Sequence, residues 1–361
     1  MTGEPDTSDD TSLIPARADR ALAERSTDMV LRGLDLARTL DARDIAARSQ
    51  PRVVRFPEDR SIGTLYIPDC ADEGGDWPYL GDARGVVMIQ PDQNLMLVSE
   101  GIDIALAGLA PGDLQVLRFL DTGVKLVDDA GLVHLQHLTG LRELNLEGTQ
   151  VTDAGLAHLK HLTGLTNLHL QNTQVTDAGL AHLQHLTGLR ELNLEGTQVT
   201  DSGLAHLKHL TGLQGLGLGG THFTDAGLAH LEHFTGLQRL SLGETQVTDA
   251  DLAHLQHLTG LQWLSLGGTL VTDAGLVHLQ HLTGLRELNL EGTQVTDAGL
   301  AHLKHLTGLT GLAMKGTQVT DSGLAHLQHL TGLRELYLQN TQVTDAGRVW
   351  LQTALPDVRL D

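Results

Sequence analysis

The sequence predicts an α/β solenoid, with a parallel sheet on one face, short helices on the other and a small β-rich domain at the N-terminal end. Three observations lead there. A stretch of 24 letters, Leu138–His161 (LTGLRELNLEGTQVTDAGLAHLKH), returns unchanged at Leu282–His305 and with one change, Ser202, at Leu186–His209. Inside each copy the apolar pattern switches from strict alternation to a helical stripe. Aromatics make up only 3% of the 361 residues and glycine supplies 41 of them, so leucine must fill most of the interior. Repeats of this size build a core only by stacking on their neighbours.

The elements follow in chain order. Residues 1–15 are acidic and rich in Ser, Thr, Asp and Pro, the composition of a disordered tail. Residues 16–50 carry apolar positions at Met29, Leu31, Leu34, Leu36, Leu40 and Ile45, which predict one or two helices. Residues 51–113 hold short alternating runs at Val53–Phe56, Ile62–Ile67, Gly85–Ile89 and Leu95–Ser99, separated by turn residues. They are expected to form a small β-rich domain capping the first repeat's leucine face.

Ten repeats are expected over 114–354. In the first regular unit Leu144 and Leu146 alternate with Glu143, Asn145 and Glu147, a short half-buried strand. Thr152 or Asp153 then stands as an N-cap before Leu156, Leu159 and Leu162, one helical stripe. Thr139-Gly140 turns the chain into the next strand. The leading unit, with Leu114, Leu117 and Phe119, carries an insertion around Gly123–Val127. At the far end Arg348, Trp350 and Pro356 break the pattern, and residues 355–361 repeat only the strand as a cap.

The pattern Leu141-x-x-Leu144-x-Leu146-x-x-Thr149-x-Val151 resembles the leucine-rich repeat, and Val151-Thr152-Asp153-Ala154-Gly155-Leu156 is similar to its cysteine-containing subclass, in bacterial-type 24-residue form. That subclass usually has Cys or Asn where this chain has Thr149 and its equivalents through Thr341. A hydroxyl can make the same kind of bond to the turning backbone. The resemblance implies a curved solenoid that binds macromolecules on its concave sheet face, and it implies no catalysis. Cysteine-containing repeats often follow an F-box helix bundle, but residues 16–48 lack its opening Leu-Pro signature.

Composition removes several function classes. A net charge of −21 argues against nucleic-acid and anionic-membrane partners, which need clustered cations. All eleven basic residues up to Asp113 are Arg, set against twenty-one acids, so that part is acidic too. A single cysteine, Cys70, rules out a disulfide framework and a multi-Cys metal site. The start has neither a basic nor an apolar signal region, and no apolar run reaches 18 residues, so a cytoplasmic location is expected.

Eighteen of the twenty histidines form HxxH pairs on the helical stripe, from His134 and His137 to His326 and His329. Imidazoles so spaced can share Zn²⁺, but no third ligand type recurs beside them, and adjacent helices stand about 8–10 Å apart. They are read as surface copied by duplication, and neither metal nor cofactor is expected. Gly215–Gly220 has the look of a phosphate loop, yet its glycines occupy strand slots instead of a turn opening a helix. Glu143 and Glu147 recur in near-identical units, the mark of a solvated face. No enzyme is expected.

What remains is a scaffold for a protein partner, with an adaptor or effector whose N-terminal region recruits other machinery as the alternative. On a duplicated face, departures from the copy are the informative letters. They gather in the middle units: Gly215, Gly217 and Gly219, then His222, Arg239, Glu244, Trp263 and Leu270, with Tyr337 nearer the C-terminal end. Trp263 falls in the outward slot of Glu143, Glu191 and Glu287. An exposed Trp beside an Arg, above a strip without side chains, is the composition of a binding hot spot.

Overall fold

The computed structural model describes residues 52–56, 61, 63–67, 78–89, 95–99, 117–122 and 127–361. The expected tail, the helical segment before residue 51, the insertion at 123–126 and Cys70 lie outside them. The chain divides into two units, residues 1–97 and 98–361.

In the N-terminal unit β1 (Arg52–Arg55) pairs antiparallel with β4 (Val86–Ile89), and β2 (Thr64–Tyr66) pairs antiparallel with β3 (Tyr79–Asp82). Val54, Phe56, Leu65, Ile67 and Ile89 are buried. Tyr66 and Tyr79 meet edge to face, ring centroids 6.1 Å apart, a favourable aromatic geometry. Strand β3, read YLGD, has a glycine at an alternating position and was not among the expected runs. A fifth strand, β5, covers Leu95–Val98.

The second unit is the solenoid. Strands β6 (Leu117–Asp121), β7 (Glu143–Asn145), β8 (Asn167–His169), β9 (Glu191–Asn193), β10 (Gly215–Gly217) and β11 (Arg239–Ser241) lie parallel in sequence order. The sheet continues through β12 (Trp263–Ser265), β13 (Glu287–Asn289), β14 (Gly311–Ala313), β15 (Glu335–Tyr337) and β16 (Arg359–Leu360). Because register never slips, equivalent letters stand side by side. Leu144, Leu168, Leu192 and their successors to Leu336 form one inward row, at most 3% exposed. Each such leucine contributes about 1.5–3 kcal/mol by leaving water.

The expected helix is a single α turn, Asp153–Leu156 in the first regular unit, running into a 3₁₀ turn, Ala157–His161. The reason lies in the stripe: leucines at i, i+3 and i+6 match three residues per turn better than 3.6. Nine threonines, from Thr149 to Thr341, each donate a hydroxyl hydrogen bond of 2.5–2.7 Å to the carbonyl three residues earlier. This is the backbone bond that lets Thr replace Cys or Asn in the repeat.

Of the two candidate N-caps the structure uses Thr152, which accepts from Ala154 N. Aspartate works between repeats instead. Asp153 accepts from Thr176 N (2.8 Å) and Thr176 Oγ1 (2.6 Å) one unit later. Asp129, Asp177, Asp201, Asp249, Asp273, Asp297 and Asp321 do the same for the threonine 23 residues on. Glycine in the DAGL motif is required by this ladder, because a Cβ on Gly155 would run into Asp129 Oδ1, and one on Gly179 into Asp153 Oδ1.

One unit breaks the rule. Its glycine slot holds Asp251, whose Cβ occupies the space the preceding carboxylate needs. Asp251 is buried and takes over the bonds itself, accepting from Thr248 N (2.6 Å) and Thr248 Oγ1 (2.8 Å). Asp225, released, pairs with His254 Nε2 at 2.6 Å on the exposed side. That unit's helical segment is wholly 3₁₀, Asp251–Leu255.

Candidate interaction face

The polar letters of each strand point away from the leucine core and form rows across the sheet, one residue per strand and about 4.8 Å apart. Their accessibility changes along the array. On β8 Asn167 and His169, and Gln171 just beyond the strand, are all buried, with His169 Nε2 lying 3.8 Å from Glu143 Oε1. On β13 and β15, by contrast, Glu287, Glu335 and Tyr337 are exposed.

The glycine strip on β10 is not the bare patch expected. Gly215 and Gly217 are buried beneath their neighbours' side chains. Arg239 on β11 reaches back over Gly215 to Glu191 on β9, Nη2 to Oε2 3.0 Å. Asn193 lies where a Cβ on Gly217 would point, and Glu195 beside Gly219. The Arg239 guanidinium is thus engaged within the chain, and a gap legible as an absence of side chains is filled by side chains two strands apart.

Three further candidates lie off the strand rows. Glu244 sits at the turn after β11 with φ +56°, the slot that Gly148, Gly196 and Gly268 fill elsewhere, and its carboxylate lies over Gly268 of the next unit. His222 and Leu270 follow the bonded threonine, with their amides tied to Val199 O and Val247 O. Both are exposed, but on the loop beyond the sheet.

Trp263 and Tyr337 come together with residues the sequence reading passed over. They line a depression of about 380 Å³ whose floor is Gly311 and Ala313 of β14. Register explains it: Trp263, Glu287, Gly311 and Glu335 stand in one row, and Ala313 and Tyr337 are neighbours in the next. Two small residues on β14 leave the space, and the larger side chains on either side wall it. The Tyr337 hydroxyl donates to Glu335 Oε2 at 3.0 Å. That bond, with the carboxylate's negative charge, holds the phenol above its ordinary pKa. Crowding by its neighbours, and then the like charge of Glu335, raise the pKa of Glu287. Arg334 reaches the rim, but its Nη1 donates to Thr331 O (3.3 Å) and Leu333 O (3.1 Å) in the preceding turn. Lys315, two residues beyond β14, pairs with Glu291 at 2.9 Å. The signal was available: Gly311-x-Ala313 departs from the copied Glu-x-Asn just as Gly215-x-Gly217 does.

Among the described residues no three His, Cys, Asp or Glu side chains gather as a metal site, and no helix is long and apolar enough to cross a membrane.

A family model described as Leucine Rich repeat matches residues 134–160, 182–208 and 278–304. With the stacked strand-and-turn units above, these matches show that the solenoid is an array of leucine-rich repeats. Among solved structures it is similar to an internalin (inlF) from Listeria monocytogenes str. 4b F2365, at 26% identity over 63% of this chain and 75% of that one, TM-score 0.46. An internalin C2 from the same strain gives 28% identity over 60% and 84%, TM-score 0.46. A leucine-rich-repeat protein of Leptospira interrogans gives 19% over 70% and 80%, TM-score 0.47. No curated protein matches the chain.

Proposed function

We propose that this leucine-rich-repeat protein is a non-enzymatic scaffold that binds a protein partner on the sheet face, through the β12–β15 end of the array. The observation that carries the reading is the depression over Gly311 and Ala313, walled by Trp263 and Tyr337 in the exposed part of the sheet. Aromatic walls around a floor of one glycine and one alanine give a partner's side chain a pocket to fill, the usual anatomy of an interface hot spot. The helical side is more uniform in its letters. Its outward letters are His, Lys and Gln copied from unit to unit.

A photocrosslinking amino acid placed at Gly311, in the full chain exposed to lysate, should trap a discrete protein that the same group at His158 on the helical turn does not. Trapping at His158 and none at Gly311 would overturn the assignment and make the helical side the working surface.

A further inference from the structure

We infer that the depression over Gly311 is a socket for an arginine side chain presented by the protein partner, an inference that rests on the scaffold reading above. The array supplies its own precedent. On β9–β11 a glutamate, a glycine and an arginine stand in one row, Glu191, Gly215 and Arg239, and the guanidinium lies across the glycine to meet the carboxylate at 3.0 Å. On β13–β15 the same row reads Glu287, Gly311 and Glu335. The glutamate and the glycine are retained, and the position that supplies the cation carries a second carboxylate. Two strand spacings, roughly 10 Å, separate the backbones that bear these carboxylates. Glu287 Cγ packs beside the Gly311 position, and no side chain of β14 itself fills the space towards Glu335.

The walls favour a guanidinium over other cations. Its planar fork can donate to carboxylates on two sides at once, and a guanidinium stacks on aromatic rings, two of which, Trp263 and Tyr337, line the recess. An ammonium ion is a hydrated point charge and gains less from such walls. The charges already present agree. Arg334 at the rim is tied to Thr331 O and Leu333 O, Lys315 is paired with Glu291, and the chain's net charge of −21 attracts a basic partner at long range. Glu287, held above the ordinary carboxylate range by crowding and by Glu335, is a group that an arriving cation would relieve.

The chain has three tryptophans, so Trp77→Phe with Trp350→Phe leaves Trp263 as the sole reporter in an otherwise full-length protein. The probes are the blocked tripeptides acetyl-Gly-Arg-Gly-amide, its lysine counterpart and its citrulline counterpart, which keeps the shape of arginine without the charge. The arginine peptide should shift Trp263 emission saturably, and the citrulline peptide should bind at least about ten-fold more weakly. Glu335→Arg rebuilds the Arg239 arrangement inside the chain, so it should keep or raise the melting temperature and abolish the arginine response. Glu287→Gln should weaken the response without unfolding the chain. Indistinguishable arginine and citrulline peptides, or no saturable shift, overturn the inference, and a lysine peptide that binds as tightly overturns the guanidinium assignment. If the protein trapped at Gly311 is captured equally well by the Glu335→Arg variant, the socket is wrong while the scaffold reading stands. If the arginine response is present but nothing is trapped at Gly311, the partner reading fails instead.

Discussion

Asp177 and Asp225 occupy the same letter of the same motif in repeats two apart, and replacing each with alanine should cost very different amounts. Asp177 accepts from Thr200 N at 2.7 Å and Thr200 Oγ1 at 2.6 Å in a part-buried setting. Hydrogen bonds to a charged group contribute about 1.5–3 kcal/mol each, and removing the acceptor strands a backbone N–H with little access to water. The two bonds share one carboxylate, so Asp177→Ala should cost about 2–3 kcal/mol in all. Asp225 makes no such bonds, because Asp251 has taken its threonine. It keeps only the pair with His254, where its side chain is 68% exposed, and such pairs contribute about 0–1 kcal/mol. Urea melts followed by far-ultraviolet circular dichroism, compared at unchanged slope, should separate the variants by about 2 kcal/mol. The assignment of cause can be tested as well. Asp251→Gly clears the space for the Asp225 carboxylate to return to Thr248, so Asp225→Ala should become costly in that background, with a coupling of about 1–2 kcal/mol. Equal midpoints for Asp177→Ala and Asp225→Ala, or a cost of Asp225→Ala indifferent to residue 251, would refute the ladder as a source of stability.

Three further outcomes are expected. Leu192 is fully buried, so Leu192→Ala should cost about 2–5 kcal/mol, against about 1 kcal/mol for its neighbour Glu191→Ala, which removes the part-buried pair with Arg239 and the bond accepted from Asn167 Nδ2; equal urea midpoints would remove Leu192 from the core. Glu244 is held at φ +56° in a slot that glycine fills elsewhere, so Glu244→Gly should raise stability by about 1 kcal/mol, and a loss of that size would show that its side chain matters more than its backbone. The Asp321 carboxyl lies below its ordinary value of 3.8 because Thr344 donates to its charged form. A depressed folded value means stability present above 3.8 and lost as pH falls through the folded value, so the melting-temperature gap between wild type and Asp321→Asn should be steady near neutrality and close in strong acid. A gap that widens with acid contradicts that sign.

The leucine rows, the strands of the array and the threonine bond were all legible because each is written locally and copied many times. Leu144 and Leu146 announce a strand within five letters, and Thr149 bonds three residues back. The aspartate ladder was not legible in the same way. Asp153 in the first turn of a helix reads as a capping acid, and its true partner, Thr176, is 23 residues away. Only the stacking of units brings the two together. The face was half legible for a related reason. A run such as Gly215-Leu216-Gly217 declares missing side chains, but not that Arg239 and Glu191 reach over the gap from either side. Around Gly311 no arginine crosses the gap, so Trp263 and Tyr337, singled out as separate aromatics, turn out to share one recess with the carboxylates of Glu287 and Glu335.

The affinity of the partner trapped at Gly311, titrated against Trp263→Ala and against His158→Ala as the helical-side control, tests the scaffold reading most directly. A hot-spot tryptophan loses about 2 kcal/mol or more on truncation, roughly a thirty-fold rise in Kd, while the control should stay within about two-fold of wild type. Binding weakened by His158→Ala and untouched by Trp263→Ala would contradict the account and move the interface off the sheet.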